Sequence, residues 1–99
     1  MNKSFKFGKL VLTSGINNLI ADDLAFSDFV MKSLKRHMLQ DWGDLCAADK
    51  ETNNKALERF EGKLNGQLFS TYKDKKHPEI WIITEWDESV TTILFPSDY

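Results

Sequence analysis

The sequence predicts an α+β fold, in which two or three helices in the N-terminal half pack on a C-terminal three-stranded antiparallel meander. Apolar residues recur at three- and four-residue helical spacing up to about residue 61, whereas β-branched and aromatic residues dominate from residue 67 onward. A length of 99 residues suits one domain, 1–99, built around one core. A short β-prone piece at residues 9–13 can extend the sheet at either edge.

Each of the two or three predicted helices begins near a residue that can cap it. The clearest has Ser27 as its N-cap and an apolar face at helical spacing, formed by Phe26, Phe29, Val30, Leu34 and Met38. A second helix is predicted from near Asp49, whose carboxylate can cap backbone N–H groups, to Glu61, where Gly62 offers a stop. A brief helix capped by Ser14 is predicted to run to Ile20.

The predicted strands span residues 67–72, 79–85 and 90–95. In the middle strand, Ile80, Ile82 and Thr84 alternate with Trp81, Ile83 and Glu85, so both of its faces are partly apolar. This pattern is typical of a central strand with helices packed on one face. The opposite face then requires a cover, which a fourth strand, a second copy in a homodimer or a binding partner could supply.

Composition and charge restrict the classes of function. The formal net charge is −2 and the pI is about 5.6, which disfavours nucleic acid as a bulk ligand. Cys46 is the only cysteine, which excludes an internal disulfide and favours a small packing residue in a reducing cytoplasm. Neither a signal peptide nor an apolar run of the roughly 20 residues that cross a bilayer is found. We therefore predict a cytoplasmic protein without membrane association.

The most distinctive polar segment runs from residue 37 to residue 44. His37, Asp41, Trp42 and Asp44 offer an imidazole and two carboxylates, which can bind a divalent metal or perform acid–base chemistry. The alternative is local structure, with an Asp capping the next helical turn, Trp42 at the core edge and His37 at a helix C-terminus. The spacing alone favours the alternative, and we predict neither a metal nor a cofactor.

The second predicted helix carries four further polar candidates. Asp49 with Asn53 and Asn54 could hydrogen-bond a ligand or partner, although capping and solvation also explain Asp49 and one Asn. Two asparagines within a helix mildly favour a function, because Asn is a poor helix former. Arg59 could anchor a carboxylate or phosphate, and a surface ion pair is the commoner role.

Aromatic and acidic residues of the C-terminal half give the remaining candidates. Trp81 belongs to a set that could stack nucleobases but more often forms core: Trp42, Tyr72, Trp81, Trp86 and Tyr99. Glu85, at a strand end, could act as a general base with His37 or Tyr72 if these groups converge.

Several segments together resemble a protein family: His37, Asp41-Trp42-Gly43-Asp44, Asp49, residues 53–57, Leu68-x-Ser70-x-Tyr72, residues 81–92, Leu94 and Pro96-x-x-Tyr99. The pattern resembles that of roughly hundred-residue bacterial proteins of plasmids and other mobile elements, over residues 9–99. Some relatives carry the label of a type I restriction enzyme's modification subunit. This sequence departs from the family in having Trp86 and Glu88 where Ala and Arg are common, and Glu88 argues against an anion-binding turn.

The methyltransferase activity in that label is excluded on physical grounds. Such an enzyme cradles its nucleotide cofactor in a Gly-rich turn on a doubly wound sheet. The five glycines form no G-x-G, no Asn-Pro-Pro-aromatic sequence occurs, and 99 residues are too few for that fold. The resemblance therefore implies a mobile-element setting without an activity.

These observations favour a non-enzymatic binding module that recognises a protein partner in an anti-defence or regulatory role. The predicted surfaces are the acidic central helix and the exposed side of the sheet. The alternative is a small toxin-like ribonuclease, which needs His37, Arg59, Tyr72 and Glu85 in one cleft.

Overall fold

The computed structural model describes residues 4–99, and residues 1–3 of the predicted 1–99 domain lie outside the described residues. Its elements are β1 (Lys9–Leu12), α1 (Ser14–Asp22), α2 (Leu24–Met38), α3 (Ala47–Ala56), β2 (Leu68–Tyr72), β3 (Ile80–Thr84), β4 (Val90–Leu94) and a short 3₁₀ turn (Pro96–Asp98). The α+β class is therefore confirmed.

The sheet has the strand order β1-β4-β3-β2. Strands β2, β3 and β4 pair antiparallel in sequence, whereas β1 pairs parallel with β4. The predicted three-stranded antiparallel meander is thus only part of a four-stranded mixed sheet. The chain enters β1 through Gly8, whose φ is +65°, and a Cβ there would lie 2.3 Å from the carbonyl oxygen of Ser89. Only glycine fits this close approach.

The helices cover one face of the sheet. One apolar cluster joins α1 and α2 to β2, β3 and β4, and its buried members are Ile16, Phe26, Val30, Leu34, Tyr72, Ile80, Ile82 and Ile93. A second cluster lies under α3 and contains Trp42, Ala56, Leu57, Leu64 and Leu68. Because side chains alternate along a strand, the residues between these inward positions face the other side. We call that side the open face.

The starts of α1 and α2 differ from the prediction. Helix α2 begins before Ser27, and its N-cap is Asp23, whose carboxylate accepts the N–H of Phe26 at 3.1 Å. In α1, Thr13 takes the N-cap position, but its hydroxyl donates to Asp98 at 2.8 Å instead of capping the helix. Ser14 is the first helical residue, and α1 continues two residues beyond Ile20 to Asp22.

Helix α3 is shorter than predicted and ends at Ala56 instead of Glu61. After Leu57 the chain makes a tight turn in which Phe60 and Lys63 exchange backbone hydrogen bonds. Glu61 and Gly62 both have positive φ, 51° and 81°, which is incompatible with a continuing right-handed helix. The helix begins at Ala47, so Asp49 lies in its first turn and is not its N-cap.

Candidate functional site

The most chemically suggestive residue, His37, lies in a buried polar chain between α2 and the sheet. Its Nδ1 is 2.5 Å from Ser70 Oγ and its Nε2 is 3.0 Å from Thr84 Oγ1. Thr84 Oγ1 lies 2.7 Å from Thr91 Oγ1, and the Thr91 hydroxyl donates to the carbonyl oxygen of Phe7 at 2.9 Å. All four side chains are buried. The chain therefore connects one helix, three strands and the segment before β1.

The Phe7 carbonyl at the end of this hydrogen-bonded chain determines which group donates and which accepts at each step. Thr91 has one hydroxyl proton and gives it to Phe7, so Thr91 accepts from Thr84. Thr84 has then used its own proton and accepts from Nε2–H of His37, which leaves Nδ1 to accept the proton of Ser70. The network is thus fully satisfied by a neutral His37.

Both ring nitrogens of His37 bond buried hydroxyls, so neither is directed at a metal or a substrate. Burial lowers the pKa of His37 from 6.5 to about 3, because the charged imidazolium would lose its hydration. A serine donating to an imidazole is the arrangement of a nucleophile and its base, but Ser70 and His37 are both fully buried. His37 lies in the last turn of α2, as the local-structure alternative expected, but its ring bonds Ser70 and Thr84 instead of the end of the helix.

Asp41 stabilises the turn after α2. Its carboxylate accepts two hydrogen bonds from Arg36, at 2.7 and 3.2 Å, and one from the N–H of Gly43 at 3.2 Å. The Arg36 guanidinium lowers the pKa of Asp41 and lies 4.9 Å from the ring centre of Tyr72. Tyr72 in turn donates its hydroxyl to the Asp41 carbonyl at 2.7 Å. Asp41 thus binds α2 and β2 instead of capping the next helix.

Asp44 and Asn53 cover the outer edge of β2. The Asn53 amide bonds both backbone groups of Phe69, donating to its C=O at 2.6 Å and accepting its N–H at 3.0 Å. The N–H of Asp44 donates to the Thr71 carbonyl at 2.8 Å, and its carboxylate accepts the N–H of Lys73 at 2.9 Å. An edge strand otherwise presents these groups to other chains. Both residues therefore contact β2 in place of a ligand.

Three residues at or near the start of α3 differ in their exposure to solvent. Trp42 is buried, as the local-structure alternative expected, and its indole N–H donates to Asn54 Oδ1 at 3.1 Å. Asp49 is exposed on the first turn. Cys46 is exposed at the N-cap position, so the prediction of a buried packing cysteine is wrong.

Arg59 forms the ion pair that the sequence offered as its commoner role. Its guanidinium makes two hydrogen bonds to Glu88, at 2.5 and 3.1 Å, and also donates to the carbonyl of Ser4 at 3.0 Å. Glu88 accepts the N–H of Lys6 at 2.6 Å, and the guanidinium lowers its pKa. The pair ties residues 4–6 to the β3–β4 hairpin. Glu88 thus neutralises the cation that an anion would need.

The open face carries a shallow pocket of about 210 Å³, lined by Gln67, Phe69, Trp81, Ile83 and Tyr99. The Trp81 ring lies 5.1 Å from that of Phe69 and 5.6 Å from that of Tyr99, both in edge-to-face geometry. Tyr99 is 79% exposed. The pocket wall is therefore aromatic and open to solvent.

Trp81 is held in place by polar contacts. Its indole N–H donates to Glu79 Oε2 at 3.0 Å, and the same oxygen accepts the hydroxyl of Thr71 at 2.8 Å. The ring is thus fixed before any ligand arrives, which reduces the entropy lost on binding.

The four residues required by the ribonuclease alternative do not meet. Thr84, which bonds His37, faces the helices, so the next residue, Glu85, projects from the open face. Tyr72 lies on the helix side with His37, and Arg59 is paired with Glu88. The sheet therefore separates the predicted acid from the predicted base.

The sequence did not distinguish the buried aromatic residues from those that lie on the open face. Trp42 and Tyr72 are buried under the helices, whereas Trp81 and Tyr99 line the open-face pocket. Phe69 was missed, although it occupies the register position opposite Ile83 and therefore shares its face.

Within residues 4–99, no helix is long and apolar enough to cross a membrane. No group of three or more His, Cys, Asp or Glu side chains in that range could hold a metal ion. Comparison of the chain with protein-family models, curated proteins and solved structures gave no match.

Proposed function

We propose that this protein is a non-enzymatic binding module that recognises a protein partner through the open face of its sheet. The observation that carries this proposal is the aromatic pocket between Phe69, Trp81 and Tyr99 on the side opposite the helices. Fixed aromatic side chains beside a concavity are typical anchors of protein interfaces. The resemblance to mobile-element proteins suggests an anti-defence or regulatory role for such a module.

The charge of the open face favours a protein over a nucleic acid. By strand alternation its charged side chains include Lys9, Lys73, Glu79 and Glu85, two positive and two negative. A stacking platform for bases normally adds a positively charged groove that follows the phosphates. The open face has aromatic rings without that groove.

The acidic central helix, the second surface that the sequence suggested, supports the proposal less well. Asn53 is turned inward onto β2 and Asp49 stands alone in solvent at the first turn. These positions support the open face of the sheet as the proposed partner surface.

An affinity pull-down from a host lysate, with nuclease-treated and untreated halves, tests the proposal. Wild-type protein should capture a nuclease-resistant protein partner that Trp81→Ser loses, because Trp81 is the centre of the pocket. Phe60→Ser is the matched control, since Phe60 is 70% exposed in the turn after α3 and does not line the open-face pocket. Thermal unfolding must show that both variants fold.

Two results would contradict the proposal. Equal capture by wild type and Trp81→Ser would remove the open face as the binding surface. Recovery of RNA or ribosomes alone, lost on nuclease treatment, would instead indicate that the protein binds RNA.

A further inference from the structure

A second apolar surface lies on α2, in the helical layer. Met31 and Met38, seven residues apart on one side of the helix, are 60% and 53% exposed. They border a groove of about 380 Å³ whose other lining residues are Lys32, Leu34 and Lys35. Leu34 is buried at the groove floor. We call this feature the α2 groove.

The rim of the α2 groove is positively charged. Lys32 and Lys35 are exposed, and neither forms an ion pair within residues 4–99. The neighbouring Arg36, by contrast, is paired with Asp41. The groove thus combines an apolar floor with two exposed lysines on its rim.

We propose that the α2 groove binds an acidic amphipathic helix of a partner protein. A helix with apolar residues at positions i, i+3, i+4 and i+7 places them in such a groove, and Glu or Asp beside them reaches Lys32 and Lys35. Methionine side chains adapt to the shape of the helix they contact, because they are unbranched and polarizable. This inference goes beyond the proposed function, since it assigns a ligand to a different layer of the molecule.

Charge argues against a second copy of this chain as the occupant. In a two-fold dimer the same patch lies on both sides, so Lys32 and Lys35 of one copy would face those of the other. Like charges brought together across an interface are unfavourable. An anionic membrane surface would also attract these lysines, but two cations beside a concave groove give only weak attachment to a flat surface.

The probe is a synthetic 18-residue peptide with Leu at i, i+3, i+4 and i+7 repeats and Glu and Ala elsewhere. Its matched control has Lys in place of every Glu. The readout is the methyl spectrum of full-length protein labelled at methionine, which reports Met31 and Met38 directly. We expect the acidic peptide to shift both methyl signals saturably, and the basic peptide to shift neither.

Charge-reversal variants locate the site. Lys32→Glu with Lys35→Glu should weaken binding of the acidic peptide by about tenfold or more, as two cation–carboxylate contacts become repulsive. Lys73→Glu with Lys75→Glu makes the same net change in the exposed β2–β3 loop and should leave the affinity within about twofold.

Each other outcome overturns the inference. Equal response to the two peptides, or none, would exclude an acidic helix. Binding to anionic phospholipid vesicles without a response to peptide would identify a lipid surface. Concentration-dependent dimers that Met31→Ser abolishes would identify a second copy. Failure here leaves the pull-down on the open face unaffected, because the two tests use different variants and ligands.

Discussion

The two faces of the sheet use polar and aromatic residues in opposite ways. Under the helices, His37, Ser70, Thr84 and Thr91 form a closed hydrogen-bond chain, and within residues 4–99 no buried side-chain N or O lacks a partner. On the open face, Trp81 is fixed but its neighbour Tyr99 stands largely in solvent. The polar residues that look catalytic in the sequence therefore stabilise the fold. The aromatic residues Trp81 and Tyr99 instead line a pocket that is open to solvent.

The largest expected effect is on the helix side. His37→Ala removes a buried ring and leaves the Ser70 and Thr84 hydroxyls without their partner, which should lower the free energy of unfolding by about 3–4 kcal/mol. Urea unfolding of the variant beside Lys35→Ala, an exposed control expected within about 0.5 kcal/mol of wild type, measures this. A loss below about 1 kcal/mol would show that this chain of hydrogen bonds contributes little to the stability of the fold.

Asn53→Leu should have the next largest effect. It removes both hydrogen bonds to Phe69 and exposes the edge of β2, at a cost of about 2–3 kcal/mol. Sedimentation should also detect self-association, because an uncovered edge pairs with other strands. Thr52→Leu, at the neighbouring exposed position, is the control and should sediment as the wild type does.

The pH dependence of stability should separate His37 from a surface histidine. Its pKa is about 3 in the folded protein, below the ordinary 6.5 of the unfolded chain, so only the unfolded chain binds a proton between these values. The free energy of unfolding should fall as pH is lowered from 6.5, by about 2 kcal/mol at pH 5. His37→Gln should flatten this interval, and an unchanged slope would refute the assignment.

The Arg59–Glu88 pair should contribute less. Glu88→Gln keeps the shape of the side chain but removes the charge, and we expect a loss of about 1 kcal/mol that shrinks in high salt. Unfolding in low and high salt checks this, with Glu58→Gln on the exposed surface near the end of α3 as the control. A salt-independent loss would indicate packing instead of charge.

Tyr99→Ser should have the smallest effect on stability. Because Tyr99 is 79% exposed, the free energy of unfolding should change by less than about 0.5 kcal/mol. Capture of a protein partner should nevertheless fall sharply, which unfolding and pull-down on the same preparation will show together. A large loss of stability would place Tyr99 in the core and weaken the contrast between the faces.

The sequence predicted much of this fold because strand alternation and helical spacing are local properties. Ile80, Ile82 and Thr84 face the helices as predicted, and Phe26, Val30 and Leu34 are buried on α2. At the end of α2, however, His37 is buried and Met38 is exposed. One buried face of α2 has residues spaced by four, three and four positions: Phe26, Val30, Ser33 and His37. This spacing indicates that His37 belongs to the buried face, but the polarity of the side chain argued against burial.

The candidate site was less predictable, because it depends on pairings distant in sequence. His37 bonds Ser70 and Thr84, and Asn53 bonds Phe69. The sequence around His37 or Asn53 does not indicate which distant residues are their partners. The parallel pairing of β1 with β4 is equally remote, since it joins residues about eighty positions apart in the chain.

Site-specific photo-crosslinking tests the contrast between the two faces most directly. A benzophenone amino acid replaces Tyr99 on the open face in one preparation and Phe60, exposed in the turn after α3, in another, and both are irradiated in a nuclease-treated host lysate. We predict one crosslinked protein partner from position 99 and none from position 60. The same partner from both positions, or from position 60 alone, would contradict the assignment of binding to the open face.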